Sequence, residues 1–221
     1  MRQTKLIVSD KSALLKKYEK KGFRHIHKAL NRLIKKDKER RNLDDILIYI
    51  DELSASDETG LEPTEGQIKE EKVKSIVDYL YKKYNCEFLL IVGAQDVIPF
   101  QTLDNPVNDK DRVIPSDLPY ASDHSYSKSV GDFCCITRPV GRLAGIYKSS
   151  NYEYLVDVIY NAIDFNGLKN HKNYDSYFAL SALEWSQSTH ATMRNLPGIT
   201  DYRLSPHENT RSWDPEDFEK R

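Results

Sequence analysis

Phe88 to Val92 reads Phe-Leu-Leu-Ile-Val and runs straight into Gly93, and this short stretch constrains the fold more than any other. A strand that is apolar at every position has no wet face. Such strands sit in parallel sheets that carry helices on both faces. Lys5–Ser9, apolar at Leu6 to Val8, reads as a short first strand, and Ile46–Ile50 is a second, fully apolar run that ends in Asp51 and Glu52. Between the strands the apolar residues change period. Leu14, Leu15, Tyr18, Phe23, Ile26, Leu30, Leu33 and Ile34 recur at helical spacing, with an interruption expected near Gly22. Ser9 or Asp10 is placed to cap that helix. Ile68 to Tyr84 repeats the pattern through Val73, Ile76, Val77 and Leu80, and Tyr152 to Phe165 repeats it through Tyr154, Leu155, Val158, Ile159 and Ile163. Ser54 to Gly66 reads as a loop. Phe133–Thr137 and Tyr177–Leu183 read as further strands, the latter as a fourth core strand. The expected fold class is therefore α/β: a mostly parallel sheet flanked by helices on both faces, in three layers.

Length and charge narrow the function classes. The chain has 221 residues, 30% of them charged, with a net charge of −1. That suits one soluble domain over 1–194 with a loop-rich tail over 195–221, where Tyr202–Leu204 is a short strand and Asp214–Pro215 a helix start signal. The near-zero balance points to no nucleic acid and no membrane surface as partner. Lys16 to Arg41 is rich in Lys and Arg, yet few aromatics interleave with them, so the stretch reads as the wet face of an amphipathic helix. Leu6 to Val8 is too short for a signal peptide, and three cysteines, Cys86, Cys134 and Cys135, suit a reducing compartment. A cytoplasmic protein is expected. There is no G-x-G-x-x-G and no P-loop, so no cofactor is expected and a nucleotide-binding role is the weakest reading.

A long polar loop at the carboxyl end of a central strand is where an open α/β sheet builds its working site. Here the loop runs from Asp111 to Asp123 and contains Ser-Asp-Leu-Pro-Tyr, with Asp117 and Tyr120; it is followed by Thr-Arg-Pro-Val-Gly-Arg-Leu, Thr137 to Leu143. A carboxylate on such a loop can receive a basic side chain, or it can fold back as an Asx turn. Asp96 reads as a turn residue near the same edge. Arg142 reads as a structural partner for a nearby carboxylate such as Asp117 or Asp123. Trp185, after Glu184, reads as a pocket wall or a core contact. The cluster Asp104, Asn105, Asn108, Asp109 and Asp111 lacks calcium-loop spacing, and the six His show no metal-ligand spacing with the Cys.

The order strand–Gly93-x-x-Asp96-x-x-Pro99, then Ser116-Asp117-x-x-Tyr120, then Val140-Gly141-Arg142 resembles the gingipain-type branch of the caspase-like cysteine peptidases. The resemblance covers the front half of such a domain. It implies that Asp117 lines the pocket for the residue before the cut and favours Arg or Lys there, with Tyr120 of the same motif a further substrate-binding candidate, that Arg142 supports the fold beside the active face, and that Trp185 belongs to the block before the family's variable segment. The family's catalytic His closes a strand in a His-Gly pair, and its Cys closes a later one. No His here precedes Gly. The expectation is thus a non-dyad, N-terminal part of a cysteine endopeptidase. Its partner would be the catalytic C-terminal half, or another chain covering the open sheet edge, and its substrate a peptide or protein. The competing expectation is an inactive binding or scaffold module on the same fold.

Overall fold

The computed structural model describes residues 2–53, 70–107, 110–165, 176–195 and 199–205. The chain divides into two compact units, Met1–Phe165 and Asn166–Arg221. The sequence reading puts the division at 194/195. It falls after Phe165 because the strand at 176–182 takes its partner from the tail.

The first unit is a mixed α/β fold built on a four-stranded parallel sheet. Its elements are β1 (Gln3–Ser9), α1 (Lys11–Lys36), β2 (Leu43–Tyr49), α2 (Glu70–Lys83), β3 (Phe88–Val92), β4 (Gln101–Asp104), β5 (Val113–Ser116), β6 (Val140–Leu143) and α3 (Tyr152–Asp164). The strand order is β2-β1-β3-β6, all parallel. The central strand β1 carries Leu6, Ile7 and Val8, each 0% exposed. Alternate residues point to opposite faces, so full burial of three in a row means that both faces are covered. Each such side chain contributes roughly 1.5–3 kcal/mol by leaving water.

Local chemistry sets the element ends. Asp10 caps α1, accepting from the Ala13 amide at 2.7 Å. Asn151 caps α3 in the same way, from the Tyr154 amide. The break in α1 lies at Glu19, with φ of 56°, rather than at Gly22. Gly22 stays helical and serves close approach. A Cβ there would sit 2.7 Å from the Tyr18 Cβ and 2.9 Å from the Tyr152 Cβ, so α1 and α3 meet over a bare backbone. Asp37–Arg41 closes α1 as a π-helical turn, and Asn42 ends it in the left-handed region.

The sheet's fourth strand is β6, inside Thr-Arg-Pro-Val-Gly-Arg-Leu. Phe133–Thr137 is not a strand: Val130–Phe133 is a 3-10 turn whose Phe133 is fully buried, edge-on to His124. Its apolar character comes from plugging a loop. β4 and β5 form an antiparallel hairpin that delivers Asp117 just after Ser116.

The second unit pairs β7 (Ser176–Ala182) with β8 (Ile199–Ser205) in parallel, through α4 (Ser186–Met193). A parallel pair needs such a crossover. The tail strand is thus longer than Tyr202–Leu204, while Ser54–Gly66, Asn108, Asp109 and Asp214–Pro215 lie outside the described residues. Among those residues no helix is long and apolar enough to cross a membrane.

Candidate functional site at the carboxyl edge of the sheet

From β1 the chain steps one way through α1 to β2, then returns through α2 past β1 to β3. The direction reverses between β1 and β3. Loops leaving their carboxyl ends diverge there and leave a crevice. A cavity of about 650 Å³ occupies it, lined among others by Asp10, Lys16, Lys17, Asp96, Val97 and Lys148.

Gly93 shapes this edge. Its φ is +117°, and a Cβ would meet the Val97 Cβ at 2.5 Å. Only glycine lets the chain leave β3 so sharply. The turn that follows is closed by the Val97 and Ile98 amides, both donating to the Ala94 carbonyl.

Asp96 is the knot of the crevice. Lys17 Nζ donates to both Asp96 oxygens, at 2.7 and 2.8 Å, and to the Ile146 carbonyl at 2.9 Å. The Lys148 amide donates to Asp96 Oδ2 at 2.9 Å. One carboxylate thus ties α1, the turn after β3 and the loop after β6. Sequence reasoning placed Asp96 near this edge as a local turn residue. Its main partner lies 79 positions away.

The first turn of α1 offers no free anion site. Asp51 accepts from the amides of Lys11 and Ser12 at 2.7 and 2.9 Å, and Asp10 takes the Ala13 amide and the Ser12 hydroxyl. Burial pushes the Asp10 carboxyl above its ordinary pKa, its hydrogen bonds pull it back, and the charge of Asp51 adds to the rise. A phosphate would have to displace two carboxylates here, which removes support from the nucleotide reading.

Arg142 and Asp117 meet as a fork. Arg142 Nε donates to Asp117 Oδ2 at 2.7 Å, and Nη2 donates to Oδ1 at 2.6 Å. Nη1 donates to the carbonyls of Gly93 and Ile98, at 2.9 and 2.8 Å, and the guanidinium lies over the Phe100 ring. The Arg142 side chain is 8% exposed and that of Asp117 is 28% exposed. The pair anchors the loop after β5 to the ends of β3 and β6. Both Asp117 oxygens are engaged, so this carboxylate does not stand free to receive a basic side chain.

Tyr120 is fully buried. Its phenol donates to the Pro99 carbonyl at 2.9 Å and accepts from Gln101 Nε2 at 2.7 Å. Burial pushes its pKa above the ordinary phenol value. The expected pocket wall is instead a clamp inside the loop, with no surface left for a ligand.

A second staple holds the same loop to α2. Arg138, 2% exposed, pairs with Asp78, donates to the carbonyls of Tyr120 and Ser122, and lies over the Tyr81 ring. Lys74 Nζ, fully buried, also reaches Asp78 and the Ser122 carbonyl. Desolvation lowers the Lys74 pKa and Asp78 opposes this. Sequence reasoning missed Lys17, Lys74 and Arg138. Lys74 alone left a readable trace, four residues before Asp78 and next to Val73 on the apolar face.

Trp185, 65% exposed, belongs to the second unit, at the end of a 3-10 turn over Leu183–Trp185. The Asp104–Asp111 loop is closed by its own bonds, with Asn105 donating to the Asp111 carbonyl and accepting from the Val107 amide. Cys86 is buried, and burial raises its thiol to about 11, the reverse of an activated thiolate. Cys134 and Cys135 are exposed. His27 shares a hydrogen bond with the Tyr49 phenol, and His124 with the Ser125 carbonyl.

Comparisons with protein-family models, with curated proteins and with solved structures return no match for this chain.

Proposed function

We propose that this chain is the N-terminal, non-dyad part of a caspase-like cysteine endopeptidase of the gingipain type, whose catalytic His and Cys come from other sequence. The observation that carries the reading is the crevice at the reversal between β1 and β3, together with the loop bearing Asp117, which Arg142 ties to the same carboxyl edge through the Gly93 and Ile98 carbonyls. Next to it lies the means of completion. β6 is an outer strand of the four-stranded sheet, and among the described residues no strand pairs with its far edge. A further strand added in parallel to β6 would bring its last residues to the same edge as Gly93. That is where a thiolate and an imidazole must stand together: the thiolate attacks the peptide carbonyl, and the imidazolium gives its proton to the leaving amine.

The fork between Asp117 and Arg142 weighs against one refinement. A preference for Arg or Lys before the cut would need a carboxylate with charge to spare, and here Arg142 matches that charge. The reading keeps the peptidase scaffold and assigns Asp117 to positioning the loop.

The native locus past codon 221 tests the reading. An apolar strand closing in His-Gly, then a later strand closing in Cys, in this frame or an adjacent one, is the expected result. A locus without such a segment overturns it and leaves a binding module on the same scaffold.

A further inference from the structure

The chain as a whole is neutral, but its charge is sorted. Over Lys11–Arg41, thirteen of thirty-one residues are Lys or Arg and three are Asp or Glu, in a chain whose totals are 33 and 34. The structure shows which of these cations are already used. Lys11 pairs with Glu52, Lys17 with Asp96, and Arg41 with Asp37. The exposed remainder includes Lys20, Lys21, Arg24, Lys28, Lys35 and Lys38. Among the described residues their ion pairing is confined to Lys35 with Glu39, at 3.8 Å and well exposed.

Their spacing makes a surface. Lys21, Arg24, Lys28 and Lys35 are separated by three, four and seven residues, which is one stripe along a helix. At 1.5 Å per residue it is about 21 Å long. The apolar face of α1 is buried in the core, through Leu14, Ile26, Leu30 and Leu33, so the stripe is held rigid and points outward. Two tyrosines of α3 lie beside it: Lys21 Nζ is 5.8 Å from the Tyr152 ring, and the Arg32 guanidinium is 5.6 Å from the Tyr160 ring. The sequence of α1 alone lacks this basic–aromatic mixture, because α3 supplies the rings.

We propose that the exposed face of α1, from Lys20 to Lys38, is a docking surface for the phosphodiester backbone of a nucleic acid, bound without reading its bases. The make-up of the face selects this occupant. The core of a protein–protein interface is depleted in Lys and built on apolar anchors. None of the large apolar side chains exposed among the described residues belongs to α1. A membrane-surface helix needs an apolar face to insert, and that of α1 is already spent on the core. A row of exposed cations about 5 to 10 Å apart along the helix, of which only Lys35 has a carboxylate partner among the described residues, and with no apolar centre, suits a chain of phosphates. The proposal stands apart from the peptidase reading, since it uses neither the crevice nor the β6 edge.

Fluorescence anisotropy of the full chain with labelled DNA duplex and with labelled single-stranded RNA, each about 20 units long, tests it between about 50 and 200 mM salt. Four or five phosphate contacts predict a log–log salt slope of roughly −4 on duplex. The triple variant Arg24→Glu, Lys28→Glu, Lys35→Glu should bind at least about tenfold more weakly and flatten the slope by roughly 3. All three side chains are exposed, and circular dichroism and melting confirm that the variant keeps its fold. Polyglutamate competing as well as the nucleic acid would assign the face to acidic proteins and overturn the proposal. So would binding to phosphatidylserine vesicles with none to nucleic acid, or no binding to any of the three.

Discussion

Replacing Asp117 with Ala removes one side of the fork that fixes the candidate loop. Arg142 keeps its two bonds to the Gly93 and Ile98 carbonyls but loses both Asp117 oxygens, and its side chain is only 8% exposed. Breaking a fully buried pair from one side costs about 3–5 kcal/mol, because a charge is left without its partner. Asp117 is 28% exposed, so water reaches the vacated place and lowers the cost to about 2–3 kcal/mol. In a unit of this size that is a fall in melting temperature of about 5–10 °C. Urea unfolding measures the free energy directly. The double variant Asp117→Ala, Arg142→Met separates the pair from its surroundings, with a coupling energy of about 1–2 kcal/mol expected. A fall under about 0.5 kcal/mol for Asp117→Ala, the range of an ordinary surface substitution, would refute the reasoning. Asp117 would then be free for a ligand, as the bare sequence suggests.

Gly93→Ala meets both a φ of +117° and the Val97 Cβ, so it should cost at least about 2 kcal/mol, whereas Gly131→Ala, whose nearest neighbour is the Ser129 hydroxyl at 3.5 Å, should stay within about 0.5; paired thermal melts compare them. Asp45 is pushed up to about 7, first by burial, with Lys5 opposing and the bond and charge of Asp37 adding to the rise. A carboxyl raised above its unfolded value favours the fold below that value, and the benefit is lost as pH climbs from about 4 to 7. Urea midpoints from pH 4.5 to 7.5 should therefore show Asp45→Asn gaining on the parent as pH rises; a constant gap would contradict the assignment. Maleimide labelling read by mass spectrometry should modify Cys134 and Cys135 quickly and Cys86 only on unfolding, since Cys86 is buried with its thiol raised to about 11.

Apolar period carried the elements of the first unit. β1, β2, β3, α1, α2 and α3 all announce themselves through their apolar runs or helical spacing, although β2 is only partly buried, and the Asp10 cap follows from residue type and place. β6 does not announce itself. It has four residues, two of them Gly141 and Arg142, and it is a strand because Leu89–Val92 offers it partners. The break in α1 was expected at glycine, on propensity. It came at Glu19, while Gly22 was needed for the helix crossing. At the site, Arg142 and Asp117 are each legible as residues of interest, but the sequence offers Asp123 as an equal partner for Arg142, and only the fold selects Asp117, 25 positions away. Lys17 with Asp96 was not legible, because nothing local to either residue points to the other. Tyr120 shows the limit of motif reading: a tyrosine in a polar loop reads as a contact residue, but one acceptor, the Pro99 carbonyl, and one donor, Gln101 Nε2, hold it in the core.

The most direct test of the peptidase account is to co-express this chain with the segment encoded after codon 221 and assay the purified pair on a mixed fluorogenic peptide library. The account predicts thiol-dependent cleavage by the pair, none by either piece alone, and loss of activity when the added segment's strand-end Cys is replaced by Ala. A pair that associates and cleaves nothing, or cleavage that survives that replacement, would contradict it.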